Sequence, residues 1–408
     1  MAYKSLMKLF YMDTSSDRFA NNERLAAERL GADSTFRTGM HTATGELFIA
    51  LPHELSVLSE QVMRKERVVQ SLQTVIPPIA RGALVRSLVI DEVVGTNDLE
   101  GIRSTCKQIN ELLESPPASE HVGQKRFREL AKLYLGLSGG NAMPPGSPED
   151  IRVIYDQVMA GEDLGKNAPD GRLFRRSGVE VIGKRGNPIH EGAQTEAEIV
   201  AGLGNMLAFT TSPDVPQLYS AVASHFMFEY IHPFYDGNGR IGRYLLALYL
   251  SEPLSALTSL SLSREIAENR SPYYKAFQDA EAPMNHGELT PFVIQMLEYV
   301  SGAQDRLIAD LGEKSQRLDK CNDLLGRAVA DLGLTERESE LLYLLVQHDL
   351  FAAFPAIQLD EATAYMRMGR QSTRKHLGSL VEKGLVSQVG GRPLRFELSA
   401  DGRRLLEG

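Results

Sequence analysis

The stretch from Ile231 to Arg243, I-H-P-F-Y-D-G-N-G-R-I-G-R, combines side chains that suit phosphate chemistry. His232 is the one nearby group that can accept a proton near neutral pH. Asp236 would repel a phosphate group unless a hard cation stood between them, and Mg²⁺ is the usual partner of phosphate oxygens. The residue types therefore predict a nucleotide-phosphate site with a base beside it.

Three glycines and two arginines in the same stretch point to an anion. Gly237, Gly239 and Gly242 can adopt positive φ, which lets backbone N–H groups approach a ligand closely. Arg240 and Arg243 lie three positions apart and can fork onto phosphate oxygens. If a helix starts here, its unpaired N–H groups and its dipole favour a negative charge at the same place.

The flanking sequence predicts the elements that position this loop. Apolar residues recur at helical spacing before it, at Leu218, Val222, Phe226 and Tyr230, and an apolar run follows from Tyr244 to Leu250. The segment is thus predicted to be helix, tight loop and helix. A D-G-N-G sequence by itself is usually a simple turn, but the complete pattern between two helices argues against that alternative.

Residues 232–243 carry every fixed position of the pattern H-P-F-x-D-G-N-G-R-x-G-R, and residues 223–230, A-S-H-F-M-F-E-Y, precede it. This pattern resembles the signature of the Fic family. The resemblance implies an all-helical core and an enzyme that transfers AMP from ATP to a Ser, Thr or Tyr hydroxyl of a target protein, or of itself, releasing pyrophosphate. ATP is then the substrate and Mg²⁺ the cofactor.

The resemblance also assigns roles to residues. It implies that His232 is the catalytic base, that Asp236 holds the metal, and that the β-phosphate binds at residues 237–242. Pro233 sets the backbone angle and Phe234 anchors the loop. The nucleotide-binding residues that it implies are Gly237, Asn238, Gly239, Arg240, Gly242, Arg243 and Tyr274.

Tyr274 has a second interpretation. Tyr273 and Tyr274 lie downstream of the phosphate loop, where an aromatic ring could stack on adenine. Paired tyrosines are more often half-buried core residues. The resemblance favours Tyr274 as a nucleobase neighbour.

An upstream segment resembles the inhibitory motif of the family, [S/T]-x-x-x-E-[G/N]. Pro77 and Pro78 open a helix, which the sequence by itself predicts to end near Gly95, before T-N-D-L-E-G at residues 96–101. The resemblance extends the inhibitory helix over about residues 78–100 and implies that Glu100 pairs with Arg243, where the γ-phosphate of ATP belongs.

Residues 171–192 alternate in part, at Val179 and Val181, and are interrupted by glycines, which is typical of a β-hairpin. The resemblance makes this hairpin the flap that aligns the target segment; an ordinary surface hairpin is the alternative. His190 lies outside the signature, and we expect a structural or surface role for it.

The composition limits the class of protein. A chain of 408 residues predicts two or three domains, and the formal net charge of −9 argues against a general polyanion binder. Cys106 and Cys321 make neither a disulfide framework nor a metal-ligand spacing, which fits a reducing cytoplasm. The apolar run over residues 244–263 is broken by Glu252 and Pro253, so we expect no membrane segment.

The last segment predicts three helices and a hairpin, which resembles a winged helix-turn-helix. From Met366 to Arg404 there are nine basic and three acidic residues, so 9 − 3 gives +6 in an acidic chain. Arg374 and Lys375 on the third helix and Arg392 at the wing tip would contact DNA. A protein partner is an equal alternative, and a homodimer stays open.

The predicted fold class is mainly α: a Fic helical core with a β-hairpin flap, a helical N-terminal domain and a C-terminal winged-helix domain. The N-terminal domain contains a short strand at residues 46–51, and a basic helix is predicted from Lys125 to Leu137. The predicted domains are residues 1–115 for the N-terminal domain, 116–302 for the core, 303–331 for a helical linker and 332–408 for the winged helix.

Two further functions are compatible with the same sequence. Relatives of this fold move phosphate or phosphocholine, or remove AMP. A regulator that binds DNA and only senses nucleotide would need a degraded loop, and this loop is intact.

Overall fold

The computed structural model describes residues 3–114, 127–182, 188–391 and 393–407. Its regular elements are mainly helices, as the sequence predicts. In chain order they are α1 Leu6–Met12, α2 Arg18–Leu30, β1 Phe36–Thr42, β2 Gly45–Ile49, α3 His53–Val75, α4 Pro78–Leu99, α5 Cys106–Glu114, α6 Arg128–Ser138, α7 Pro148–Val158, β3 Glu180–Ile182, β4 Pro188–Glu191, α8 Glu196–Thr210, α9 Gln217–Ile231, α10 Asn238–Leu250, α11 Ala256–Ser259, α12 Leu262–Glu268, α13 Arg270–Ala280, α14 Thr290–Asp331, α15 Glu336–Phe351, β5 Ile357–Gln358, α16 Leu359–Met366, α17 Arg370–Glu382, β6 Val386–Val389, β7 Arg395–Leu398 and α18 Ala400–Glu407.

The chain divides into two compact units. The first contains residues 1–67 and 90–305, and the second contains residues 68–89 and 306–408. These limits differ from the predicted domains because the long helices α3, α4 and α14 each contribute residues to both units. The predicted linker is the second part of α14, which continues without a break from the core helix that starts at Thr290.

Two buried helices form the centre of the first unit. Almost every residue of α9 and α10 is buried, and α8 packs beside α9. A helix that is apolar on all sides is stable only when other elements surround it. The bend that joins α9 to α10, at residues 232–237, is thereby held at both ends by the core.

Helix α4 runs through Gly95 and ends at Leu99, so the prediction that it stops near Gly95 is wrong. The physical reason is a close contact with the backbone in the first turn of α12. A Cβ atom at Gly95 would lie 2.9 Å from the backbone nitrogen of Arg264 and 3.0 Å from the carbonyl carbon of Ser263. Glycine therefore serves helix packing here, and the helix delivers Glu100 one residue beyond its end.

Two antiparallel hairpins lie in the first unit. Strands β1 and β2 pair near the N-terminus; β2 matches the predicted strand, whereas β1, polar and mixed in sequence, was not predicted. Strands β3 and β4 pair as the predicted hairpin over residues 171–192, of which residues 183–187 lie outside the described residues. The predicted basic helix is α6, while Lys125 lies outside the described residues.

The second unit contains a three-stranded sheet in the order β5-β7-β6, with antiparallel pairing throughout. Helices α15, α16 and α17 come before the β6–β7 hairpin, in the predicted order of three helices and a hairpin. Within this unit the first half of α4 binds α15: the Ala80 N–H donates to Gln347 Oε1 (3.3 Å), and Ser87 Oγ donates to the Phe351 carbonyl (3.0 Å). Arg392, the predicted wing tip, lies outside the described residues.

None of the helices in the described ranges combines the length and the apolar character that a membrane crossing requires.

Candidate active site

The bend between α9 and α10 starts with a strained residue. His232 follows the last residue of α9 with φ 51° and ψ 62°, and its N–H donates to the Phe228 carbonyl (3.0 Å). A non-glycine residue in this left-handed region costs about 1–3 kcal/mol, so neighbouring groups must hold it there. Gly237, with φ 88°, completes the bend before the first residue of α10.

A fully buried arginine holds this backbone in place. Arg175 Nε donates to the His232 carbonyl (2.8 Å), and Nη2 donates to the Ile231 carbonyl (3.2 Å). Its Nη1 donates to the carbonyls of Ser177 and Ala193 at the base of the β3–β4 hairpin. Sequence reasoning missed Arg175; the visible signal is an Arg-Arg pair before the hairpin, and no spacing rule connects that pair to residues 231–232.

The His232 ring is set up to accept a proton. Its Nδ1 lies 3.3 Å from the Glu229 carbonyl, and because a carbonyl oxygen only accepts, Nδ1 carries the hydrogen and Nε2 keeps its lone pair. Burial, reinforced by the nearby charges of His190 and Arg175, lowers the pKa of His232 to about 4. The imidazole is therefore neutral at physiological pH, with Nε2 as the basic atom.

The middle of the bend is fixed by an aromatic stack and an amide. Phe234 is fully buried, stacks on Tyr155 at 3.8 Å between ring centroids, and packs against Phe174 at 5.3 Å, in agreement with its predicted role as an anchor. The Asn238 side chain accepts from the Phe234 N–H (3.0 Å) and donates to the Phe234 carbonyl (2.8 Å). The side-chain amide of Asn238 thus binds the loop, and its backbone N–H is available to a ligand.

The three glycines serve different purposes. Gly237 alone among them uses positive φ, so that expectation is wrong for Gly239 and Gly242, which lie inside α10. A Cβ atom at Gly239 would lie 2.0 Å from Glu100 Oε1, and one at Gly242 would lie 2.2 Å from Glu229 Oε1. Gly239 therefore keeps the start of α10 open to a negatively charged group, whereas Gly242 lets α9 and α10 approach each other closely.

Arg240 faces away from open solvent and toward an acid. Its side chain is buried, Nη1 lies 2.6 Å from Glu162 Oε1, and Nη2 donates to Met159 Sδ (3.2 Å). One carboxylate thus already offsets its charge. The backbone N–H groups at the first turn of α10, which have no partner inside the helix, add a positive field at the same end.

Arg243 and Glu100 form the ion pair that the sequence resemblance implies. Arg243 Nη2 lies 2.6 Å from Glu100 Oε1, while Nε donates to Thr96 Oγ1 (2.7 Å) and Nη2 to the Thr96 carbonyl (3.1 Å). The arginine side chain is 3% exposed and the glutamate side chain 30% exposed, so the carboxylate closes the arginine off from solvent. Glu100 lies over Gly239, at the end of α10 where an anion is most stable.

Asp236 is exposed on the bend. Within the described residues, no three or more His, Cys, Asp or Glu side chains are placed to hold a metal ion by themselves. Magnesium commonly takes one or two protein carboxylates and completes its shell with substrate phosphates and water. A single exposed carboxylate beside an anion site therefore fits a metal ion that arrives with a nucleotide.

Tyr274 lies next to the end of α4. Its hydroxyl donates to the Leu99 carbonyl (2.8 Å), and its ring, 39% exposed, contacts Tyr273 edge-on at 5.3 Å. Asp98 pairs with Arg270 at 2.6 Å on the same side. Tyr274 thus contacts the residue before Glu100 and is partly open to solvent.

Residues 145–250 match the sequence profile of the Fic/DOC family. This part of the chain is similar to the Fic/DOC family. The matched range holds β3, β4, the bend and every signature residue, whereas Glu100 and Tyr274 lie outside it. The ion pair of Arg243 and Glu100 therefore joins the matched range to a residue upstream of it.

Curated relatives of the Fic domain carry the name protein adenylyltransferase. A probable protein adenylyltransferase of Aquifex aeolicus is 32% identical over 196 residues, which cover 48% of this chain and 55% of the relative. The protein adenylyltransferase Fic of Drosophila virilis is 26% identical over 255 residues, 61% of this chain and 47% of that protein. The chain spans about half the length of these relatives.

Solved structures of Fic proteins share the fold. A Fic family protein from Desulfovibrio desulfuricans superimposes with a TM-score of 0.54 at 16% identity, covering 86% of this chain and 97% of that one. Fic-1 from C. elegans gives a TM-score of 0.50 at 17% identity, covering 76% and 81%. At this identity the likeness concerns the fold alone, and it agrees with the mainly helical class that the sequence predicts.

Proposed function

We propose that this protein is an adenylyltransferase that moves AMP from ATP to a hydroxyl side chain of a target protein, with its own hydroxyls as a second possible target. The observation that carries the proposal is the bend itself: His232, whose Nδ1 lies against the Glu229 carbonyl, stands at its start, and α10, which holds the buried Arg243, begins at its end. The names of the curated relatives support the same reaction.

The residues divide the reaction between positioning and proton transfer. The first-turn amides of α10 and the guanidinium of Arg243 bind the phosphates and orient the α-phosphorus toward the mouth of the bend. His232 Nε2 takes the proton of the attacking hydroxyl as its oxygen bonds to the α-phosphorus, and the bond to pyrophosphate breaks. Arg240 stabilises the loop through its ion pair with Glu162.

Asp236 is the residue that would hold Mg²⁺. A magnesium ion held there would supply positive charge to offset the negative charge that builds up on the leaving pyrophosphate. An exposed carboxylate at the bend suits this role because it reaches the phosphates without adding a buried negative charge.

The β3–β4 hairpin is the proposed docking element for the target. It is a two-stranded sheet, so an edge is open to pair with an extended segment. Ile182 and Ile189 are 54% and 45% exposed on its two strands. Such exposed apolar side chains suit a bound peptide better than contact with water.

Glu100 is the proposed inhibitor of the same site. Its carboxylate takes an acceptor position on Arg243 that a terminal phosphate oxygen of ATP would need. A nucleotide bound beside it would be displaced, and a misplacement of about 1 Å costs on the order of a hundredfold in rate. The protein is thus proposed to rest in an inhibited state.

Labelled nucleotide tests the reaction. Compared with the same lysate without the protein, Glu100→Gly should add covalent label from ATP labelled at the α-phosphorus and add none from ATP labelled at the γ-phosphorus. Label from the γ-position would instead indicate phosphoryl transfer. Equal labelling by Glu100→Gly and by Glu100→Gly with His232→Ala would contradict transfer altogether.

A second proposal concerns residues 332–408, for which we infer a winged helix-turn-helix that binds DNA. The order of α15, α16, α17 and the β6–β7 hairpin supports it, and Arg374 and Lys375 are exposed on α17. Other cations of this segment already pair with acids: Arg370 with Asp360 (3.0 Å), Lys383 with Glu338 (2.9 Å), Arg403 with Asp349 (2.8 Å) and Arg404 with Asp401.

Salt-dependent mobility shifts test the DNA proposal. Arg374→Glu with Lys375→Glu should abolish binding to duplex DNA, whereas the matched pair Lys107→Glu with Lys132→Glu, in the first unit, should leave it unchanged. Equal binding by both variants would refute it, and a captured protein partner would replace it. The cytoplasmic location and the homodimer stay predictions.

A further inference from the structure

His190 connects three elements around the bend. It lies on β4, its Nδ1 is 2.7 Å from Glu281 Oε2 at the end of α13, and its Nε2 is 2.8 Å from the Tyr230 carbonyl in the last turn of α9. Its side chain is 9% exposed and that of Glu281 is 22% exposed. The sequence predicts only a structural or surface role for this residue.

The two partners determine the charge of the ring. The Tyr230 carbonyl only accepts, so Nε2 carries a hydrogen, and the Glu281 carboxylate favours a second hydrogen on Nδ1. Burial alone lowers the pKa of His190, but the hydrogen bond and charge of Glu281, together with the Tyr230 carbonyl and the charge of Glu229, outweigh it and raise the pKa above the ordinary value. A cation at the C-terminus of α9 is also favoured by the helix dipole.

This cation lies beside the catalytic base. The ring centroids of His190 and His232 are 6.2 Å apart. The other charged groups that act on His232 are the Arg175 guanidinium and the Glu100 carboxylate, while Glu229 of α9 contributes its carbonyl. A positive charge this close opposes a second proton on His232 and so keeps its ring unprotonated before a substrate binds.

We propose that His190, paired with Glu281, is a positioning residue of the transfer reaction: it fastens the return strand of the hairpin to the catalytic bend and keeps His232 in its basic form. The inference rests on the proposed function, because it assigns His190 a part in that reaction. His190 thereby fixes the distance between the hairpin and His232. The hydroxyl of a target bound to the hairpin must reach His232 across this distance.

The charge is tested without any activity measurement. In protein with nitrogen-labelled histidine, NMR at pH 6.5, the ordinary pKa of histidine, should show a mainly protonated ring whose imidazolium signal disappears in both His190→Gln and Glu281→Gln. The matched control is His286→Gln, which removes a part-buried histidine bound to Asn22 in a different region (2.7 Å) and should leave the signal intact. A neutral His190 at this pH would overturn the proposal.

Kinetics then test the role, in the Glu100→Gly background. His190→Gln should move the acidic limb of kcat/KM toward neutral pH by about two pH units, the effect of one charge 6.2 Å away at an effective dielectric of about 20. It should also raise KM for the target and leave KM for ATP unchanged. An unmoved limb with an intact imidazolium signal in the parent would overturn the role of His190, whereas absence of transfer in the parent would overturn the proposed function.

Discussion

Replacing Glu100 by glycine is the perturbation with the largest predicted gain in activity. In the structure, Glu100 Oε1 lies 2.6 Å from Arg243 Nη2, and a phosphate oxygen on the same guanidinium needs about the same distance. Two acceptors cannot share one position, so a terminal phosphate beside Glu100 must shift by at least about 1 Å. Removing the side chain should therefore raise the rate of AMP transfer by about a hundredfold.

The assay is the initial rate of covalent labelling from α-labelled ATP at saturating nucleotide. Glu100→Gln is the matched variant, because it keeps the size of the side chain and loses its charge; we expect an intermediate rate. ATP should bind to the parent with measurable affinity, since exclusion of one phosphate position leaves the amides of α10 available. If Glu100→Gly is folded, binds ATP and labels no faster than the parent, the inhibitory role of Glu100 is refuted.

Three further predictions concern the bend. In the Glu100→Gly background, His232→Ala should reduce labelling to the level seen without the protein. In Glu100→Gly itself, kcat/KM should fall below about pH 4 as His232 gains a proton, because only the neutral ring accepts one; a pH-rate profile measures this fall. Gly239→Ala should weaken ATP binding in a calorimetric titration, because the added methyl group occupies the opening at the start of α10; unchanged affinity would contradict an anion site there. Phe234→Ala should lower the free energy of unfolding by about 3–5 kcal/mol, measured by denaturant titration, because its fully buried ring leaves a cavity beside Tyr155; a loss below about 1 kcal/mol would show that the ring is not an anchor.

The bend could be predicted because neighbouring residues in the sequence determine it. Helix, loop and helix are encoded by apolar spacing on both sides of thirteen consecutive residues, and the structure has the same order. The pairing of Glu100 with Arg243 spans 143 positions and was available only through the family resemblance. Spacing within either segment carries no sign of it.

The supporting residues could not be predicted for the same reason. Arg175 reaches His232 across 57 positions, and His190 reaches Glu281 across 91. Each contact depends on how the hairpin folds back on α9. The spacing of apolar residues in the sequence carries no information about that packing. At Gly95 the local signal was misleading. The low helix propensity of glycine indicates a helix end, but the helix continues because this position packs closely against residues 263–264.

The mass of the modified target measures the central claim most directly. With ATP and Glu100→Gly protein, a target should gain the mass of one adenylyl group on a Ser, Thr or Tyr hydroxyl, and His232→Ala in the same background should produce no such species. A gain equal to a phosphoryl group, or an unmodified target under conditions in which ATP is bound, would contradict AMP transfer at this bend.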